Sequence, residues 1–147
     1  MTETTETFTD EERAAMKERS KELRTASKRA GSAAEKQAAA EKDLLEKISE
    51  MSGTDRAIAE KLHEIVATAA PELVAKTWYG MPGYAKDGKV VVFFQAAAKF
   101  KVRYATIGFN ETAALDDGDI WPTAFAVTAL TPAVEKQIAA LVAKAAG

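Results

Sequence analysis

The chain has 147 residues, enough for one domain with a sizeable core and too few for two. Apolar residues make up 47% and charged residues 29%, and 20 Lys+Arg against 22 Asp+Glu leave a net charge of −2. That balance excludes both a uniformly basic nucleic-acid binder and an acid-rich disordered chain. With no cysteine and one histidine, His63, disulfides, thiolate catalysis, Cys-ligated zinc or iron–sulfur clusters and any site with two His ligands from one chain are excluded as well. Residues Met1–Thr7 are rich in Thr and Glu and lack the apolar core of a secretory leader. No apolar run approaches the roughly 18 residues of a membrane helix, so the expected compartment is the cytoplasm.

Residues 1–52 hold 12 acidic and 10 basic side chains, whereas ten of the 11 aromatics lie between Trp78 and Phe125. Ala/Glu/Lys/Arg mixtures build helices and aromatic, Val-rich runs build sheets. The expected organisation is therefore a helical N-terminal extension over 1–52 and a compact α+β domain over 53–147. Thr9-Asp10-Glu11-Glu12 fits a capping box and starts a first helix that runs to about Ala30, where Gly31-Ser32 breaks it. Its apolar stripe is thin, Met16, Leu23 and Ala30. A second helix, about Ala33 to Met51, carries Leu44, Leu45, Ile48 and Met51 at its end, which is expected to touch the core while the first helix is loosely held. A hairpin and a single rod both remain open for this pair.

Thr54 is expected to cap a helix with apolar Ile58, Leu62, Ile65, Val66 and Ala69. Between this helix and the last one lie the strands. Thr77-Trp78-Tyr79 reads as a short strand ended by a turn at Gly80-Met81-Pro82-Gly83, with Met81-Pro82 as its rigid part. Tyr84–Lys86 and Lys89–Gln95 flank Asp87-Gly88, a strong two-residue hairpin signal. Val90 to Phe94 is apolar on both faces and reads as central. Phe100 to Ile107 alternates as a strand, and Phe125–Thr128 is the last one, after the loop Leu115–Asp119. Thr131 then caps a helix with Pro132 at its first position and apolar Val134, Ile138, Leu141, Val142 and Ala145. An antiparallel sheet of four to five strands with two helices on one face gives a two-layer sandwich with one open sheet face.

Trp78-Tyr79-Gly80-Met81-Pro82-Gly83-Tyr84, Asp87-Gly88-Lys89-Val90, Phe94, Ala96-Ala97-Ala98-Lys99 and Tyr104 together resemble the YdhG-like domain family, over roughly residues 54–145. The resemblance implies a frataxin-like α+β fold. Some members of that family are regarded as intracellular iron chaperones, so it also implies iron binding and delivery for iron–sulfur cluster assembly. Phe100 stands where many members carry His, which removes a ligand from any site centred there.

Without cysteine, iron would need oxygen ligands. The candidates are Asp116, Asp117 and Asp119, which are also ordinary turn residues, and Glu60 with Glu64 around His63, which also read as an exposed helix face. A second candidate site is an aromatic pocket on the open sheet face, formed by Tyr79, Met81, Tyr84, Lys99, Phe100, Tyr104 and Trp121 and suited to a small anionic or planar ligand. A third is the stripe Arg13, Lys17, Lys21, Arg24 and Lys28, at helical spacing and read as lying opposite Met16 and Leu23. That stripe suits an acidic partner; the net charge and the lack of interleaved aromatics weigh against nucleic acid. No phosphate loop, nucleophile elbow or His-bearing pair is present, so the chain reads as non-enzymatic.

Overall fold

The computed structural model describes residues 8–147, so the reading of Met1–Thr7 lies outside it. The elements are α1 (Asp10–Lys28), α2 (Ala33–Ser49), α3 (Gly53–Ala69), β1 (Val74–Trp78), β2 (Met81–Lys86), β3 (Lys89–Gln95), α4 (Ala97–Phe100), β4 (Ala105–Phe109), β5 (Ala124–Val127) and α5 (Pro132–Ala146). The five strands form one antiparallel sheet in chain order, β1-β2-β3-β4-β5. The fold is α+β with an N-terminal helical part.

The core lies between the sheet and α2, α3 and α5. Tyr84, Val92, Phe94, Ile107 and Phe109 point from the strands into the same cluster as Leu44 and Ile48 of α2, Ile58, Leu62 and Val66 of α3, and Ile138 and Val142 of α5. Amphipathic helices with one apolar stripe need such a sheet to cover them. Leu44 is fully buried, while its neighbour Leu45 faces solvent. The β2–β3 register slips at Tyr84/Ala85, pairing Tyr84 with Val92 and Ala85 with Val90. Val91 is thus bulged, and two consecutive valines, Val91 and Val92, both enter the core. Asp87 and Gly88, at φ 53° and 81°, make the expected two-residue turn between β2 and β3.

α1 and α2 are two helices that fold back on each other, not one rod. Arg29 pairs with Asp43, and Lys47 reaches Glu18 at 3.9 Å. Both have complete capping boxes, Thr9 with Glu12 and Ser32 with Glu35. Hydrogen bonding from the Ser32 backbone N–H, and second from the Ser32 side chain, holds the Glu35 carboxyl below its ordinary value.

Four local expectations are corrected. Helix α3 begins at Gly53 with Ser52 at its N-cap and no side-chain cap, so Thr54 is inside the helix. The turn after β1 is Tyr79-Gly80, with Met81, Pro82 and Gly83 already in β2. Pro82 is tolerated because in a two-residue hairpin its pair with Thr77 is a non-hydrogen-bonded one, and pairing with β3 begins only at Gly83. Phe100 to Tyr104 is not strand: Ala97–Phe100 is one helical turn closed by Lys101 at φ 55°. The cause is distant, since Asp55 of α3 accepts from the N–H groups of Ala97 and Ala98 at 3.1 and 3.0 Å. Finally, the last strand ends at Val127, one residue short of Thr128.

Candidate functional site

α1 carries its charges on two separate faces. Glu11, Ala15, Glu18 and Glu22, spaced four, three and four residues, face the body of the protein, and Ala15 is the one buried residue of the helix. The three carboxylates do the fastening. Glu11 meets Lys101 at 2.9 Å, which lowers the Glu11 carboxyl and raises the Lys101 ammonium from their ordinary values. Glu18 accepts from Lys99 at 3.1 Å. Glu22 accepts from the backbone N–H of Tyr79 at 3.0 Å with one oxygen and from that of Gly80 at 2.8 Å with the other. Arg19 stands 3.5 Å from Glu22 and lies over the Tyr79 ring, 5.7 Å from its centroid.

At roughly 100° per residue, Arg13, Lys17, Lys21, Arg24 and Lys28 fall on the far side of the helix, and all five are exposed. Among the described residues Lys17, Lys21, Arg24 and Lys28 enter none of the ion pairs, and Arg13 donates to the Phe8 carbonyl at 3.3 Å. Met16 and Leu23 are 37% and 53% exposed. They lie about 110° round the helix from the middle of the basic stripe, and the glutamate row lies about 120° away on the other side, so the three rows divide the helix into thirds and neither stands directly opposite the stripe.

The aromatic candidates are dispersed. Tyr79 and Lys99 do meet at the β1–β2 turn, where Lys99 also donates to the Gly80 carbonyl at 3.0 Å, and Met81 is buried beside them at the start of β2. Tyr84 faces the helices instead, 1% exposed. Its hydroxyl hydrogen-bonds with His63 Nδ1 at 3.0 Å, and His63 Nε2 donates at 3.0 Å to the Glu41 carboxylate, which can only accept. Burial, with the Glu41 charge adding to it, pushes the Tyr84 phenol far above its ordinary value. Phe100 is half-buried at the end of α4, Tyr104 is exposed under Arg103, and Trp121 packs on the core beside the Asn110–Thr123 loop. The expected pocket of seven residues is therefore not formed.

The open sheet face carries a different aromatic group. Trp78 and Phe93 stack at 5.0 Å, Tyr79 meets Trp78 edge-on at 4.8 Å, and the Phe93 ring lies over Gly108, where a Cβ would strike it. Phe93 was legible only as part of an apolar run, and its outward direction depends on the bulge at Val91. A separate apolar cleft of about 400 Å³ runs between β5 and α5, lined by Phe125, Val127, Val134 and Leu141.

The metal candidates fare worse. Asp116, Asp117 and Asp119 are exposed, and among the described residues no group of three or more His, Cys, Asp or Glu side chains is gathered closely enough to hold a metal ion. A turn spreads neighbouring carboxylates outward, and their mutual repulsion opposes convergence. Glu60 pairs with Arg56 at 3.0 Å and Glu64 with Lys61 at 3.6 Å, while His63 has both ring nitrogens engaged elsewhere. Among the described residues no helix is long and apolar enough to cross a membrane.

No protein-family model, no curated protein and no solved structure matches the chain.

Proposed function

We propose that this protein is a non-enzymatic binding module whose working surface is the outward face of α1, and that its partner is an acidic amphipathic helix of another protein. The observation that carries this reading is the separation of charge on α1. Three of its four glutamates, Glu11, Glu18 and Glu22, are engaged in docking and Glu12 caps the helix start at Thr9, so past Asp10 the outward row Arg13, Lys17, Lys21, Arg24 and Lys28 holds cations only. The cations recur every three or four residues, the spacing at which a partner helix presents carboxylates on one face. Exposed Met16 and Leu23 run along one flank of the stripe and give that partner an apolar seam, which a phosphate backbone would not use. The absence of aromatics along the stripe likewise favours a protein over single-stranded nucleic acid.

Supporting a binding role over chemistry, both nitrogens of the single histidine are held by Tyr84 and Glu41. The α+β expectation attached to the YdhG-like reading of residues 54–145 is matched by five antiparallel strands between α3 and α5, with α4 set between β3 and β4; the family itself draws no support from this order. Iron handling draws no such support from the placement of the aspartates.

Fluorescence anisotropy tests the reading with a labelled helical peptide bearing Glu at every third and fourth position, and separately with a 20-base-pair DNA duplex as competitor. Saturable, salt-sensitive binding of the peptide is expected, weakened about tenfold in Lys17→Gln/Lys21→Gln/Arg24→Gln, since exposed pairs contribute about 0.2–1 kcal/mol each. No peptide binding, or binding unchanged in the triple variant, overturns it. Tighter binding of the duplex overturns it in favour of nucleic acid.

A further inference from the structure

The inward side of α1 leads to a second binding site, independent of the outward stripe. Tyr79 and Gly80, at φ 55° and 76°, form a two-residue hairpin turn. In such a turn the strands close through the flanking residues, and the N–H groups of the two central residues have no partner in the sheet. Here both point the same way and converge on one carboxylate, that of Glu22. Consecutive N–H groups that converge in this manner form an anion-binding concavity.

Ammonium groups surround it. Lys99 is fixed by the Gly80 carbonyl at 3.0 Å. Lys76, on the sheet face that Trp78 shares, lies close enough for Glu22 and Arg19 to act on its charge. Burial and the Arg19 guanidinium lower the Lys76 ammonium from its ordinary value, and Glu22 opposes them. Lys47 stands at the outer edge, 3.9 Å from Glu18 and 3.8 Å from Glu50. Glu18 completes the occupancy, packed so closely on Gly80 that a Cβ there would strike its carboxylate.

Two carboxylates of the chain's own helix therefore fill a cradle that is cationic without them. The helix that carries them buries one alanine and is joined to α2 by a short connection through Gly31 at φ 114°.

We propose that the Tyr79–Gly80 turn with Lys99 and Lys76 is a binding site for a phosphate group, held in this conformation by Glu22 and Glu18 as internal stand-ins. Two N–H donors and two ammoniums suit the roughly two negative charges and several oxygens of a phosphate monoester, a single group that would replace what the two carboxylates supply together. Phosphate and α1 then compete for the same donors, so phosphate binding lifts α1 from the body. The phosphate is carried either by a small metabolite or by a phosphorylated peptide.

The test is amide NMR on the full chain, wild type and Glu18→Gln/Glu22→Gln, titrated with inorganic phosphate and with a phosphoserine peptide at constant ionic strength. Saturable movement of the Tyr79 and Gly80 amides is expected, at least tenfold tighter in the double variant and weakened when Lys99→Gln is added to it. A peptide that binds more tightly than inorganic phosphate supports the site with a phosphorylated protein as source; equal binding supports it with a small phosphate. Still amides in both proteins, or equal affinity in both, overturn the proposal. If the double variant loses its sheet signals, the wild type decides: phosphate that moves Gly80 where NaCl does not supports the site, and identical responses overturn it.

Discussion

α1 and α2 are similar in length and capping, yet they are held to the body by opposite means. α2 inserts Leu44 and Ile48 into the core beside Tyr84, a contact driven by removal of apolar surface from water. α1 buries Ala15 and is otherwise fastened through Glu11, Glu18 and Glu22 to lysines and backbone N–H groups near the surface. The first kind of attachment resists salt and is lost only with the fold. The second is weak, screened by ions, and reversible while the rest stays folded. A helix meant to stay would be built like α2, and one meant to be released would be built like α1.

The contrast is sharpest in mutants. Leu44→Ala should cost about 2–5 kcal/mol by creating a cavity in the core, read as a lower urea midpoint for the whole chain. A loss confined to α2 would show that α2 is an appendage and break the comparison. Tyr84→Phe should cost about 1–3 kcal/mol, because His63 Nδ1 is left partly buried without its hydrogen-bond partner. An unchanged midpoint would show that the Glu41–His63–Tyr84 chain does not hold α2 and α3 to the sheet. Glu22→Gln should change global stability by less than about 1 kcal/mol, while amide exchange in α1 and at Gly80 speeds up. A large drop in the global midpoint would place α1 in the same cooperative unit as α2.

Smallest is the pH effect. Glu11 has a lowered carboxyl value through its bond to Lys101, so its part of the docking is present above the ordinary carboxylate value of about 4.3 and is lost as pH falls through the lowered one. Lys101 is raised, so its part is present below the ordinary lysine value of about 10.4 and is lost as pH climbs past the raised one. Amide shifts of α1 should therefore be flat between about pH 5 and 10 and move outside that window. Movement inside that window would contradict this reading.

How much of this was legible follows the range of the interactions. The caps at Thr9 and Thr131, the break at Gly31-Ser32, the faces of α3 and α5, and the Asp87-Gly88 turn each rest on residues within a few positions of one another, and all are written in the sequence. The reach of α2 into the core was also readable, from Leu44 and Ile48 against the thin stripe of α1. Apart from the start of α3, placed at Thr54 where Ser52 is the N-cap, the larger errors lie where a distant group decides. Gly80 and Gly83 both offered a turn, and the register of Trp78 against Met81 chose the first. Ala97–Phe100 became helix because a carboxylate 42 positions earlier, on Asp55, caps it. Tyr84 was assigned to the open face because a bulge one strand away is invisible locally. For the site, the basic stripe was readable as spacing. That Glu22 sits on Tyr79 and Gly80, 57 and 58 positions away, was not, since nothing in the sequence marks a glutamate as a ligand for its own backbone.

Hydrogen exchange at rising NaCl tests the central claim most directly. The account predicts that amides of α1 lose protection between low salt and about 1 M NaCl, where the screening length is near 3 Å, while those of α2, α3 and the sheet keep theirs. Protection in α1 that does not respond to salt, or that vanishes only together with α2, would contradict it.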